Sequence, residues 1–126
     1  MFKTHRGSCH CGFIQFEIDA DIDHIRECNC SICYKRGALN FCVEKGNFRL
    51  ITPISKLKLY QWYTKTAEDY FCPHCGILPF RKPSSLTKAE IAEGKKSFSG
   101  WAVNVRCLEG LNIDELPLVK INGAHL

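Results

Sequence analysis

The chain has 126 residues, 45% of them hydrophobic, with a formal net charge of +4 and nine cysteines. A chain of this length buries roughly two thirds of its unfolded surface, which suits one modest core, and the reading is a single domain over residues 1–126. No uninterrupted apolar run approaches the roughly 18 residues of a membrane span, and the mild positive charge gives no case for tight nucleic-acid binding.

The opening Met1-Phe2-Lys3-Thr4-His5-Arg6-Gly7 lacks the apolar stretch of a secretory signal, so the chain is expected in the cytoplasm. In that reducing compartment, clustered cysteines stay available as metal ligands, whereas in a secreted chain they would pair as disulfides. The first group is Cys9-His10-Cys11-Gly12. Residues i and i+2 of an extended segment share a face, so both sulfurs are expected to meet one ion from the end of a strand. Phe13 to Ile18 then mixes apolar and polar positions as a strand does.

The middle group, Cys28-Asn29-Cys30-Ser31-Ile32-Cys33, packs three thiols into one short turn. A helix starting near Ser31 would aim backbone amides at the sulfurs, and Lys35 and Arg36 would add positive potential; both effects lower a thiol pKa. Ala38 to Val43 is a strand candidate that carries Cys42 into the core, where free cysteine usually sits. Lys56 to Trp62 alternates cleanly, and Glu68 to Phe71 is a further strand. Then come Cys72-Pro73-His74-Cys75 and Gly76, where two intervening residues form a turn and the glycine can adopt positive φ. The Cys-Gly junctions at residues 11–12 and 75–76 hint at zinc-ribbon hairpins.

The stretch from Lys82 to Gly100 is the one long excursion, with a capping-box spacing at Thr87-Lys88-Ala89-Glu90 and Gly94 as the stop of a short helix. Trp101 to Leu108 and Leu118 to Ile121 complete an all-β pattern with a few short helices.

Seven of the nine cysteines stand in the three groups. A closed tetrahedral zinc site uses four thiolates and a site with an open position uses three, so the count suggests one metal for folding and one for chemistry. Seven thiolates (−7) and two zinc ions (+4) would bring the formal +4 to +1. The competing reading of the middle group is a second closed site with Cys42 or His24 as fourth ligand. Cys107 reads as another buried thiol, and His10 and His74 would point away from a metal held by their neighbours. Lys35, Arg36 and Arg81 are either a solvated basic surface or an attraction for a small anion.

These groups, with Gly7-Ser8 before the first, Gly37 behind the second and Phe71 before the third, resemble the glutathione-dependent formaldehyde-activating enzyme family, which also includes centromere protein V. The resemblance implies a complex fold of several antiparallel β-sheets similar to methionine-R-sulfoxide reductases. It assigns Cys9, Cys11, Cys72 and Cys75 to a structural zinc, and Cys28, Cys30 and Cys33 to a catalytic zinc. The activity it implies is that of a carbon–sulfur lyase joining glutathione, or a related thiol, reversibly to formaldehyde or another aldehyde. Lys35, Arg36 and Arg81 are then candidates for contacting the carboxylates of the thiol. The alternatives are a non-catalytic zinc-binding adaptor, a redox switch, and a reductase of the methionine-sulfoxide type, in which Cys107 would be the nucleophile.

Overall fold

The computed structural model describes residues 1–62, 67–83, 92–94 and 99–122. These form a mainly β fold of ten strands in two sheets, with short helical pieces. The smaller sheet has the order β1 (Lys3–Ser8), β2 (Gln15–Ala20), β5 (Phe48–Leu50), all antiparallel. In β2 the period-2 pattern of a half-buried strand places Phe16, Ile18 and Ala20 inside. In β1 the inward positions are His5 and Gly7. A Cβ on Gly7 would lie 2.2 Å from Cζ of Phe16, so the close approach of these two strands requires glycine there.

The larger sheet contains β3 (Ile25–Cys28), β4 (Asn40–Val43), β6 (Lys58–Tyr60), β7 (Glu68–Phe71), β8 (Phe80–Lys82), β9 (Trp101–Asn104) and β10 (Leu118–Ile121). Its order is β10-β3-β4-β9-β8-β7-β6. The sequence expectation of antiparallel sheets meets one exception, since β10 runs parallel to β3 with Leu118 opposite Ile25. A parallel partner needs a long crossover, and here the chain between them includes most of the sheet.

The two sheets meet through aromatic rings. Phe16 of β2 packs edge-on against Phe80 of β8 with centroids 5.4 Å apart, and Phe48 of β5 stacks on Trp101 of β9 at 4.7 Å. Ile14, Ile18, Val103 and Val105 fill the space around them, fully buried. Cys9 and Cys72 belong to this same core.

The strands expected at Glu68–Phe71 and Leu118–Ile121 are observed with those bounds. The segment from Trp101 ends as a strand at Asn104 and continues as a 3-10 turn, Val105–Cys107, capped by the Asn104 side chain, which accepts from the Arg106 amide at 3.2 Å. The alternating run from Lys56 to Trp62 yields only Lys58–Tyr60, an edge strand exposed throughout. The helix expected at Thr87 falls largely outside the described residues.

Candidate metal centres

Cys9 follows β1 directly, but the extended geometry expected for Cys9 and Cys11 does not occur. The chain turns instead: the Gly12 amide donates to the Cys9 carbonyl at 3.2 Å, Gly12 takes φ +83°, and the Cys9 amide donates to the Ile14 carbonyl at 3.2 Å. A hydrophobic run waiting at Phe13 and Ile14 pulls the chain back toward the core and forces this reversal. The second turn repeats the design. Gly76 donates to the Cys72 carbonyl at 3.0 Å with φ +77°, and the Cys72 amide donates to the Ile77 carbonyl at 2.9 Å. Each turn therefore uses glycine where a side chain would be strained.

The two turns face each other. The sulfurs of Cys9, Cys11, Cys72 and Cys75 all lie within 4.8 Å of one another, with Cys9 to Cys11 at 3.7 Å and Cys11 to Cys72 at 3.6 Å. A tetrahedral zinc with Zn–S of about 2.3 Å sets its sulfurs roughly 3.8 Å apart, whereas a disulfide needs about 2.05 Å. Backbone amides already point at the sulfurs: Ile14 donates to Cys9 Sγ at 3.2 Å, and His74 and Cys75 donate to Cys72 Sγ at 3.3 and 3.4 Å. Amide donation of this kind favours thiolate. The amide of Ile77 and then that of Cys11 help hold Cys75 down to about 6. Cys11 is pushed up to about 12, because burial and the sulfurs of Cys72, Cys9 and Cys75 outweigh the amide of Phe13. Together the four sulfurs fit a closed metal site. His10 and His74 are exposed, as the sequence suggests; the His74 ring packs edge-on against Phe13 at 4.6 Å.

The middle group forms a separate trio. Cys28 ends β3, Cys30 is the N-cap of the six-residue helix α1 (Ser31–Arg36), and Cys33 lies buried within that helix. The helix closes at Gly37, φ +65°, with Gly37 donating to Tyr34 and Ala38 to Cys33, the paired bonds of a Schellman motif. The three sulfurs lie within 4.8 Å of one another. Among the described residues no fourth Cys, His, Asp or Glu joins them. Cys42, one candidate for that place, instead accepts from Arg26 Nη1 at 3.2 Å. His24, the other, pairs with Asp23 at 2.6 Å and packs against Phe41.

Cys33 is surrounded by donors. Arg36 Nη2 and Asn40 Nδ2 each lie 3.7 Å from its sulfur, and Arg81 Nη1 lies 4.0 Å away. Both arginines are anchored by Asp69, which is wholly buried on β7: Arg36 Nη1 stands 3.3 Å and Arg81 Nε 2.6 Å from Asp69 Oδ1. The register that sets Asp69 opposite Arg81 makes this pair. Lys35, by contrast, is exposed on the helix surface.

The thiol pKa of Cys30 is lowered, as the sequence suggests. Burial opposes it there, but the Cys33 amide, the neighbouring sulfurs and Arg81 outweigh burial. Burial pushes Cys33 up to about 12 despite Arg36 and Arg81. Cys107 stands near Cys9 and Cys75 rather than the trio, and burial, followed by those two sulfurs, pushes it up to about 11. That is a poor setting for a nucleophile.

Cys28 and Cys33 line two cavities at once. A cleft of about 490 Å³ opens beside Tyr34, Leu39 and Ile121. A chamber of about 130 Å³ is lined by Arg26, Asn40, Cys42 and Arg81. The sequence reading missed Asp69, Asn40 and Arg26. Only an aspartate inside an otherwise strand-like segment, Glu68 to Phe71, hinted at an inward charge.

Residues 4–95 match the family model described as glutathione-dependent formaldehyde-activating enzyme. The chain is also similar to the crystal structure of a Rhodobacter sphaeroides protein, with 30% identity and a TM-score of 0.70 over 90% of this chain and 99% of that one. Both cysteine groups could hold a metal ion, and the donor sets are compatible with zinc. Among the described residues no helix is long and apolar enough to cross a membrane.

Proposed function

Because the chain belongs to the glutathione-dependent formaldehyde-activating enzyme family, we propose that it catalyses, as a cytoplasmic zinc-dependent carbon–sulfur lyase, the reversible addition of a thiol, glutathione in the first instance, to formaldehyde. Cys9, Cys11, Cys72 and Cys75 hold a structural zinc, and Cys28, Cys30 and Cys33 hold a catalytic one. The observation that carries this reading is the contrast between the two groups. One is a set of four sulfurs anchored in the core by Cys9 and Cys72; the other is a trio that no fourth donor joins among the described residues, and its Cys28 and Cys33 line a ligand-sized cleft.

A zinc ion bound by the trio supplies Lewis acidity that favours the thiolate form of an incoming thiol. The rest is the work of the chain. Arg36 and Arg81, fixed by Asp69, and the amide of Asn40 keep positive potential on the Cys33 sulfur. The cleft and the smaller chamber share the wall formed by Cys28 and Cys33, so two reactants brought to that wall lose most of the entropic barrier to meeting. As the sulfur–carbon bond forms and the carbonyl π bond breaks, charge moves to the aldehyde oxygen. Guanidinium and amide donors of Arg26, Arg81 and Asn40 line the chamber to receive it, and solvent supplies the proton. Arg36 and Arg81 act in this reading through Cys33 rather than as direct contacts of the thiol carboxylates. The reductase alternative gains no support from a half-buried Cys107 whose thiol is pushed up to about 11 beside the four-sulfur group.

Exchange NMR with labelled formaldehyde and glutathione tests the reading. Zinc-loaded protein is expected to speed interconversion of the free aldehyde and the hydroxymethyl thioether above the protein-free rate, and a Cys28→Ser, Cys30→Ser double variant is expected not to. Equal rates with and without wild-type protein would refute the lyase assignment.

A further inference from the structure

The cleft beside the trio carries more charge than a metal site needs. Arg106, on the 3-10 turn after β9, and Lys120, on β10, both line it, together with Glu27 on β3. Lys120 stands opposite Glu27 in the parallel register of β10 and β3, which fixes their side chains on one face. All three residues are exposed, and among the described residues none of them forms an ion pair. Leu39 and Ile121 add apolar surface to the same lining, which also includes Cys28 and Cys33. The cleft thus offers two cations and one anion without an ion-pair partner among the described residues, together with apolar surface and the sulfurs of Cys28 and Cys33. Its volume of about 490 Å³ falls in the range of about 300–1,000 Å³ that houses ligands much larger than a simple thiol.

We infer that Arg106, Lys120 and Glu27 form the subsite that selects the thiol: the two cations take the carboxylates, and Glu27 takes the ammonium, of a zwitterionic thiol peptide whose sulfur reaches Cys28 and Cys33. This rests on the proposed function for the sulfur end, but the charge recognition stands separately. Arg106 and Lys120 lie beyond residues 4–95, the segment matched by the family model. Selectivity for the thiol is therefore written in the C-terminal part of this chain, and Lys35, Arg36 and Arg81 are not its carboxylate contacts. Charges at such an open rim act mainly on specificity and weaken with salt.

Two ligands separate this inference from the reading beneath it. S-methylglutathione keeps all the charges of glutathione but cannot supply a thiolate, whereas 2-mercaptoethanol supplies a thiolate without charges. Calorimetry on the zinc-loaded protein at low salt is expected to show S-methylglutathione binding that weakens about tenfold in Arg106→Gln and in Lys120→Gln, with Lys35→Gln matching wild type. On the cobalt-substituted protein, 2-mercaptoethanol is expected to shift the visible absorption bands equally in wild type and both variants. No binding of S-methylglutathione at millimolar concentration, or equal affinity across wild type and the two variants, overturns the subsite. Absence of any band shift with 2-mercaptoethanol overturns the thiol-binding role of the trio, while the calorimetric result still decides the subsite.

Discussion

Asp69 has no solvent exposure, and both of its basic neighbours are drawn to a single oxygen, Oδ1; among the described residues its other oxygen has no hydrogen-bond partner. The 2.6 Å contact from Arg81 Nε is ionic rather than an aligned hydrogen bond. A carboxylate desolvated in this way is tolerated because two guanidinium groups compensate it, and they in turn are held against Cys33. Asp69→Asn keeps the shape and removes the charge, leaving two mostly buried cations unbalanced. Breaking a buried ion pair from one side costs about 3–5 kcal/mol, and the residual exposure of the arginines puts the expected loss at about 3 kcal/mol by urea denaturation. A loss below about 0.5 kcal/mol, a typical surface value, would show that Asp69 does not anchor them. This arrangement was hidden in the sequence for a physical reason. Cysteine spacing is local, so the three cysteine groups could be read directly; which acid faces Arg36 and Arg81 depends on strand register, and charge alone suggested a solvated surface or a small anion outside the protein.

Strands were legible where one face is apolar. Glu68–Phe71 and Leu118–Ile121 were read with their observed bounds, and the strand after Cys11 was placed close to its observed span, Gln15–Ala20. β1 was not read at all, because its buried side chains belong to a histidine and a glycine, so no hydrophobic alternation marks it. β3 escaped for a similar reason, with Ile25 the one large apolar residue in it. Gly7 shows what β1 contributes instead of apolar area: it lets the ring of Phe16 fit under the strand, in contact with Phe48 and Phe80. Gly7→Ala drives a methyl into that ring, and overpacking of this kind costs about 1–3 kcal/mol. If the clash with Phe16 is the cause, Phe16→Leu in the same chain should make the double variant more stable than the sum of the two single losses, a coupling that a double-mutant cycle measures. Strict additivity would place the cost of Gly7→Ala elsewhere.

At the scale of the molecule the two cysteine groups differ in what they hold together. The four-sulfur group joins Cys11 to Cys72 across 61 positions of sequence, and two of its members, Cys9 and Cys72, are core residues packed with Ile14, Phe16 and Val103. The trio spans six residues at the end of β3 and the start of α1, outside that core. The family resemblance implied the grouping into four and three cysteines that the structure brings together; the cavities shared by Cys28 and Cys33 could not be read, since their walls come from β3, β4, β8, β9 and β10 together. Structural zinc contributes on the order of 10 kcal/mol or more, comparable with the whole net stability of a small domain, about 5–15 kcal/mol. Losing the closed site should therefore unfold the chain, whereas losing the trio should not. The Cys28→Ser, Cys30→Ser double variant is expected to fall from two zinc ions per chain to one with its circular dichroism and urea midpoint nearly unchanged, and Cys72→Ser to aggregate or lose its cooperative transition. Graded chelation of the wild type should follow the same order, with the first equivalent leaving before any change in fold and the second leaving together with it. Release of both equivalents in a single step with unfolding would mean that the trio, too, supports the fold, and the separation between a structural and a chemical centre would fail.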